Sequence, residues 1–549
     1  MQERVNVYVG ISLGTYNTVI AISDREGDSH VIANNDGEHK TPLYIGITKD
    51  HEEEEGHEEE VVFGSQAKIQ SAYNSGNTVV KFKDYLGITE KEAQDAAIEK
   101  ESKSVFCKLQ RLATTGELGY TINGKEYTVY QIMKEYIDNL YKVVTKYIGE
   151  TKKIAGVAIS VPSYFNSKQR EQMQQLCKEL DIPNAQLVDE QTAGIVSSTR
   201  GQKLLAADKE YTKNVLVVNV GGTKTAVSIY TVGELVSEIG TVVTDKVSGE
   251  EFDKVLTNYL HKQPPTSTRA TIKLQHSVEN AKHTLSLSTT AHCFVEALDN
   301  GVDFSANITR VRFDLLSAKL YTQLIDTIDT LLQSYSYNRS EIDSIVLLGG
   351  SCKIPKLANR VKALFPYASV STATSSQNAD SGSGSGSGSG KGKSHSIECD
   401  EAIAIGSSKL AAYNDHNPAI SARSSPSYPI GLKLADSLFH PLVPRNSPLP
   451  FVKKFSFAIP KNGANHHFAV CKGSLYQPPH SESDDEDDSA EDNSSAPRYV
   501  PDSSAPLIAE FSVPSSSDSD TDNVDLTVFI SSSGKLEFKV ACNDQDISL

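Results

Sequence analysis

The chain has 549 residues, about four times the commonest domain size, with 38% hydrophobic and 22% charged residues; this predicts more than one globular domain and excludes a single small module. The formal charge of −17 argues against a general nucleic-acid-binding surface. That charge is concentrated: 50–60 and 482–492 hold eight acids each with no Lys or Arg, and the rest of the chain carries a net charge of only −1. Seven widely spaced cysteines without a CxxC pair fit neither a disulfide framework nor a zinc ribbon, so a reducing compartment is expected. The N-terminus enters a strand pattern directly and no apolar run is long enough to span a bilayer, so a cytoplasmic location without membrane contact is expected.

In chain order, Val5 to Ile11 reads as a strand, passes through Ser12-Leu13-Gly14-Thr15-Tyr16-Asn17, and continues as a second strand from Thr18 to Ile22. A dinucleotide fold or a Walker loop sends its Gly turn into a helix, so a strand after the turn disfavours both. The pattern returns at Asn214 to Val220, Gly221-Gly222-Thr223-Lys224 and Thr225 to Val232, which predicts an internal duplication. Two hairpins with Gly/Thr tips can clamp a phosphate chain, because Gly lets backbone N–H groups approach closely and Thr adds a hydroxyl. A third Gly turn, Leu348-Gly349-Gly350-Ser351, follows the strand pattern Ile342 to Leu348 and suits the nucleoside end. Helical spacing marks Val129 to Tyr147 and Phe313 to Leu332. The alternation predicts an α/β protein with two similar lobes and a cleft between them.

Residues 375–396 are Ser/Gly-rich and read as a loop inserted in a lobe, since Ile397 to Ala412 is again helical in pattern. The domains expected are 1–412, a linker at 413–428, and a short β domain at 429–549 interrupted by an acidic loop at 478–498. The His51/His57 acidic run reads as a solvated loop rather than a metal site, Ser483 and Ser489 as unmodified positions in a spacer, and Cys177 and Cys352 as packing residues.

Six ordered blocks resemble the DnaK-type heat-shock chaperone family: Gly10-Ile11-Ser12-Leu13-Gly14-Thr15, Asn77-Thr78-Val79, Val161-Pro162-Ser163-Tyr164-Phe165-Asn166, Gly221-Gly222-Thr223, Gly249-Glu250-Glu251-Phe252-Asp253 and Leu348-Gly349-Gly350-Ser351. The resemblance implies an actin-like two-lobed ATPase domain with ATP in the cleft, followed by a peptide-binding β domain. Carried over residue by residue, it places Gly14, Thr15 and Tyr16 on the first phosphate hairpin and Gly221, Gly222, Thr223 and Lys224 on the second. Lys83 falls on the family's catalytic lysine and Glu190 on the glutamate of the metal's water shell. Glu279, Lys282, His283, Ser286, Gly349, Gly350, Ser351 and Asp400 fall at the nucleoside end, with His283 where the family has an arginine.

The departures fall on the chemistry. Ser12 and Asn219 stand where the family has aspartates, Ala226 for another aspartate, Lys224 for a threonine and Tyr16 for a small hydroxyl residue. Phosphoryl transfer needs metal-held phosphates and an oriented water, so these changes imply ATP binding with little hydrolysis and a weakened need for Mg²⁺. The linker region lacks the family's apolar run, and the β domain reads as truncated, without a helical lid. The combination resembles the atypical Ssz-type members. That resemblance implies a stable heterodimer with a zuotin-like J-domain protein, indirect ribosome contact through that partner, and stimulation of a separate ribosome-bound chaperone that acts on nascent chains. The alternatives are a competent chaperone ATPase with its own peptide cycle, for which Lys83 and Glu190 suffice, and a metabolite kinase of the same fold, which the VPSYFN block disfavours.

Overall fold

The computed structural model describes residues 5–48, 60–197, 213–232, 236–263, 265–299, 301–335, 337–370, 397–416, 429–433, 438–443, 451–460, 466–475, 499–502, 507–513, 521–530, 536–542 and 545–547. Most of the first acidic run, all of the second, the Ser/Gly tract, residues 417–428 of the expected linker, and Ser483 and Ser489 lie outside the described residues.

Two sheets repeat one pattern. In the first, Val5–Leu13 pairs antiparallel with Asn17–Ser23 and parallel with Lys152–Val161, which pairs in turn with Ala185–Asp189. In the second, Lys213–Val220 pairs antiparallel with Thr225–Val232 and parallel with Ser344–Leu348. Each hairpin is thus followed by a parallel strand that returns after a long crossover. Ser12 of the first hairpin and Asn219 of the second hold matching places, each one residue before the strand ends. Continuous apolar runs such as Leu216-Val217-Val218 are buried on both faces, as strands covered by helices on each side must be. Each sheet has its own core, one around Ile11, Ile132, Tyr136 and Ile159, the other around Leu216, Phe252, Leu324 and Leu347.

The helix Val129–Ile148 follows its apolar spacing, and Thr128 and Gln131 close its N-terminus as a reciprocal capping box, a device that contributes about 1 kcal/mol. Tyr147, which fits that spacing, is nevertheless 49% exposed. The single helix expected over Phe313 to Leu332 is two, Arg310–Leu316 and Ala318–Ser334, broken at the fully buried Ser317. The apolar periodicity runs through the break because both segments pack on the same core. The helix Ala402–His416 extends four residues past the lobe boundary expected at Ala412.

The C-terminal strands form two antiparallel sheets. Ile430–Lys433 joins Phe439–Val443 and His466–Leu475 in one, and Phe451–Pro460, Thr521–Ile530 and Leu536–Cys542 build the other. They share a core that includes Leu432, Val470, Leu526 and Val540. This unit touches the first lobe: the Ser167 amide, at the start of the helix Ser167–Glu179, donates to Asp502 Oδ2 at 3.2 Å. No helix among the described residues is long and apolar enough to cross a membrane.

Candidate functional site

The two hairpin tips face each other across a cleft of about 500 Å³. Gly14, Thr15, Tyr16, Lys83, Gly221, Gly222, Lys224, Glu279, Lys282, His283, Ser286, Gly349, Gly350, Ser351 and Asp400 line it, together with Ser12, Glu190, Asn219 and Ala226. Thr223 lies beside the cleft rather than on its wall, and its hydroxyl donates to Thr15 Oγ1 at 3.4 Å, so the two tips touch. Gly222 is required by Tyr16: a Cβ there would lie 2.2 Å from Tyr16 Cδ2. Tyr16 therefore fills space between the hairpins where the family has a small hydroxyl residue.

At the tip end, Lys83 is 2% exposed; its Nζ donates to Leu13 O at 2.9 Å and lies 3.5 Å from Glu190 Oε1. Asn219 Nδ2 donates to Glu190 Oε2 at 2.9 Å. Burial pushes the Glu190 carboxyl up, against the pull of Lys83. Ala226 sits opposite Asn219 in the hairpin register and offers only a methyl group. Lys224 reaches from the second lobe to the first, with its Nζ 3.4 Å from Asp84 Oδ2 and 3.9 Å from the centre of the Tyr164 ring. The Tyr164 hydroxyl donates to Asp84 Oδ1 at 2.9 Å. Burial would raise the Asp84 carboxyl, but Lys224, Lys83 and Tyr164 together hold it below the usual range. Burial lowers the Lys224 ammonium, with Asp84 opposing. Sequence reasoning missed Asp84 and Tyr164 as members of the site, although one adjoins Lys83 and the other lies within VPSYFN; only the cross-lobe meeting with Lys224 gives them a role.

The other end is built on the helix Thr268–Leu287, where Glu279, Lys282, His283 and Ser286 share one face at helical spacing. Lys282 Nζ donates to Gly249 O at 3.0 Å and to Asp253 Oδ2 at 2.6 Å. Burial pushes the Asp253 carboxyl up to about 6 in spite of Lys282. The His283 imidazole is pushed down to about 4 by desolvation and by the adjacent Lys282, so it is neutral at physiological pH and can stack on a base. Gly349 has φ +84°, and a Cβ there would lie 2.3 Å from Val220 O, so this turn requires glycine.

Further ion pairs run along the walls. Glu279 meets Lys68 at 2.6 Å and Glu250 meets Lys81 at 2.9 Å. Lys353 lies 2.7 Å from Asp400 and 3.2 Å from Glu398, and Lys40 also pairs with Asp400. Each of the six acids lining the cleft, Glu190 included, has a lysine within 3.5 Å.

Residues 8–380 match the family model described as "Hsp70 protein". The chain belongs to the Hsp70 family. It is similar to the "Heat shock 70 kDa protein 14" of Homo sapiens, 29% identical over 65% of this chain and 69% of that protein, and to its namesake from Danio rerio, 30% identical with the same coverage. A "Heat shock protein 70 homolog" of Schizosaccharomyces pombe is 27% identical over 67% of this chain and 64% of its own length. The α/β body is thus an Hsp70 ATPase-domain fold, and the ligand of that family is ATP.

The Hsp70 cleft here fits the nucleotide: it has the room, a glycine-only turn at one end and two ammonium groups at the other. It does not fit a family-type Mg²⁺ water shell. Ser12, Asn219 and Ala226 offer no carboxylate, both Glu190 oxygens have partners, and no cluster of three metal-binding side chains occurs among the described residues. Cys177 and Cys352 are buried free thiols; burial pushes Cys177 up to about 11 and Cys352 further, which suits packing rather than nucleophilic chemistry.

Proposed function

We propose that this Hsp70 is an Ssz-type subunit that holds ATP with little or no hydrolysis and works in a stable heterodimer with a zuotin-like J-domain protein. In this reading it is a ribosome-associated co-chaperone that helps its partner stimulate the ATPase of a separate chaperone on nascent chains, and its C-terminal β unit does not clamp clients. The observation that carries the proposal is the Asn219 amide donating to Glu190 Oε2. A group that would otherwise help orient metal-bound water is tied to a neutral neighbour, with Ser12 and Ala226 alongside. Loss of metal and water positioning costs the chemical step far more than it costs binding.

Contact with ribosomal RNA in this scheme is indirect, through a basic partner, because the two acidic runs repel phosphate backbones. Affinity purification at native abundance tests the assembly: recovery of a stoichiometric J-domain protein with ribosomes supports it, and recovery of neither sinks it. Single-turnover assays test the chemistry, and hydrolysis at the rate of an ordinary Hsp70 removes the pseudo-ATPase reading. The second reading, a competent ATPase with its own peptide cycle, draws on Lys83 and Glu190; it requires nucleotide-dependent peptide release.

A further inference from the structure

Hsp70 members draw a divalent cation to the phosphates with carboxylates, and the charges around this cleft are arranged otherwise. Mg²⁺ sheds its water reluctantly and is held through carboxylates together with the phosphates. Every acid lining this cleft already faces a lysine, and among the described residues none belongs to a cluster of three metal-binding side chains. At the hairpin end, where the phosphates belong, the lining carboxylates are Glu190 and Glu250, whose amide donates to Gly222 O and whose carboxylate is taken up by Lys81, and two lining ammonium groups, Lys83 and Lys224, stand against them.

Those ammonium groups come from opposite walls. Lys83 belongs to a short turn of the first lobe and is fixed by Leu13 O; Lys224 closes the second hairpin and is aimed across the cleft by Asp84 and the Tyr164 face. Lys224 lines the cleft and Asp84, which holds its ammonium, does not. A lysine ammonium is a compact point charge suited to phosphate oxygens.

We propose that the cleft takes its nucleoside triphosphate in the metal-free form, with Lys83 and Lys224 as the counter-charges that a divalent cation supplies elsewhere. The inference rests on the ATP-binding reading and deepens it. Free Mg²⁺ then competes with the protein for the nucleotide instead of assisting. Lys224, which the family pattern does not predict, sets this preference.

The test is calorimetric titration of ATP into full-length, nucleotide-stripped protein, once in excess EDTA and once in excess MgCl₂. The expected result is an affinity tighter in EDTA than in MgCl₂, by about tenfold or more. An affinity in EDTA equal to or weaker than that in MgCl₂ overturns the proposal and leaves the ATP-binding reading standing, whereas no binding in either buffer sinks both. Lys224→Thr is expected to weaken binding in EDTA by about tenfold or more, and Lys224→Arg, which keeps the charge, to retain most of it. Because Lys224→Thr strands the buried Asp84, the double variant Asp84→Asn/Lys224→Thr is measured beside it. Affinity in EDTA unchanged in the double variant overturns the role of Lys224.

Discussion

The contact between Asp502 and the helix Ser167–Glu179 joins the C-terminal unit to the first lobe, and its removal has a calculable effect. Asn166 and Gln169 cap this helix reciprocally, and the first amide, that of Ser167, donates to Asp502 Oδ2 at 3.2 Å. Both residues are buried, at 7% and 6% exposure, so Asp502→Ala strands a donor away from water. A hydrogen bond to a charged group contributes about 1.5–3 kcal/mol, so a loss near 2 kcal/mol, roughly 30-fold in the local opening equilibrium, is expected. Asp502→Asn keeps an acceptor and loses the favourable anion at a helix N-terminus, about 0.3–1 kcal/mol. Amide hydrogen exchange reads this directly: Ser167 protection falls most in the Ala variant and slightly in the Asn variant. Gln169, whose amide is satisfied by Asn166, changes little and serves as the internal reference. Equal Ser167 protection in wild type and Asp502→Ala refutes the idea that the C-terminal unit rests on this helix in solution.

Gly222→Ala places a methyl group where Tyr16 Cδ2 lies 2.2 Å away; overpacking of this kind costs about 1–3 kcal/mol, and a lower melting temperature and weaker nucleotide binding are both expected. A melting temperature within error of wild type counts against the observed Tyr16 position. His276 is pushed down to about 4 by burial and by Lys68, with Glu279 opposing. The unfolded imidazole takes up a proton near pH 6.5 while the folded one resists until about 4, so stability is lost as pH falls through that window, by at most about 3 kcal/mol. His276→Gln removes this contribution, and urea melts of wild type and variant that stay parallel from pH 7 to pH 4.5 refute it.

The chain order of strand, Gly turn and strand, repeated at residues 214–232, by itself determined the paired hairpins and the cleft, because strand periodicity and glycine are local properties. The spacing of Glu279, Lys282, His283 and Ser286 likewise carried one helix face. Residue identity alone also showed that Ser12, Asn219 and Ala226 bring no carboxylate to the hairpins. The break at Ser317 was hidden, since two helices that pack on one core keep a single periodicity through it. Only the tertiary structure decided what the lysines do. Lys224 reads from sequence only as a lysine on the second hairpin where the family has a threonine, and its partners Asp84 and Tyr164 lie far away in the chain on the other lobe. The pairs Lys68–Glu279 and Lys81–Glu250 likewise form only because the two lobes face each other. An electrostatic balance depends on distances across a gap, which no stretch of sequence contains.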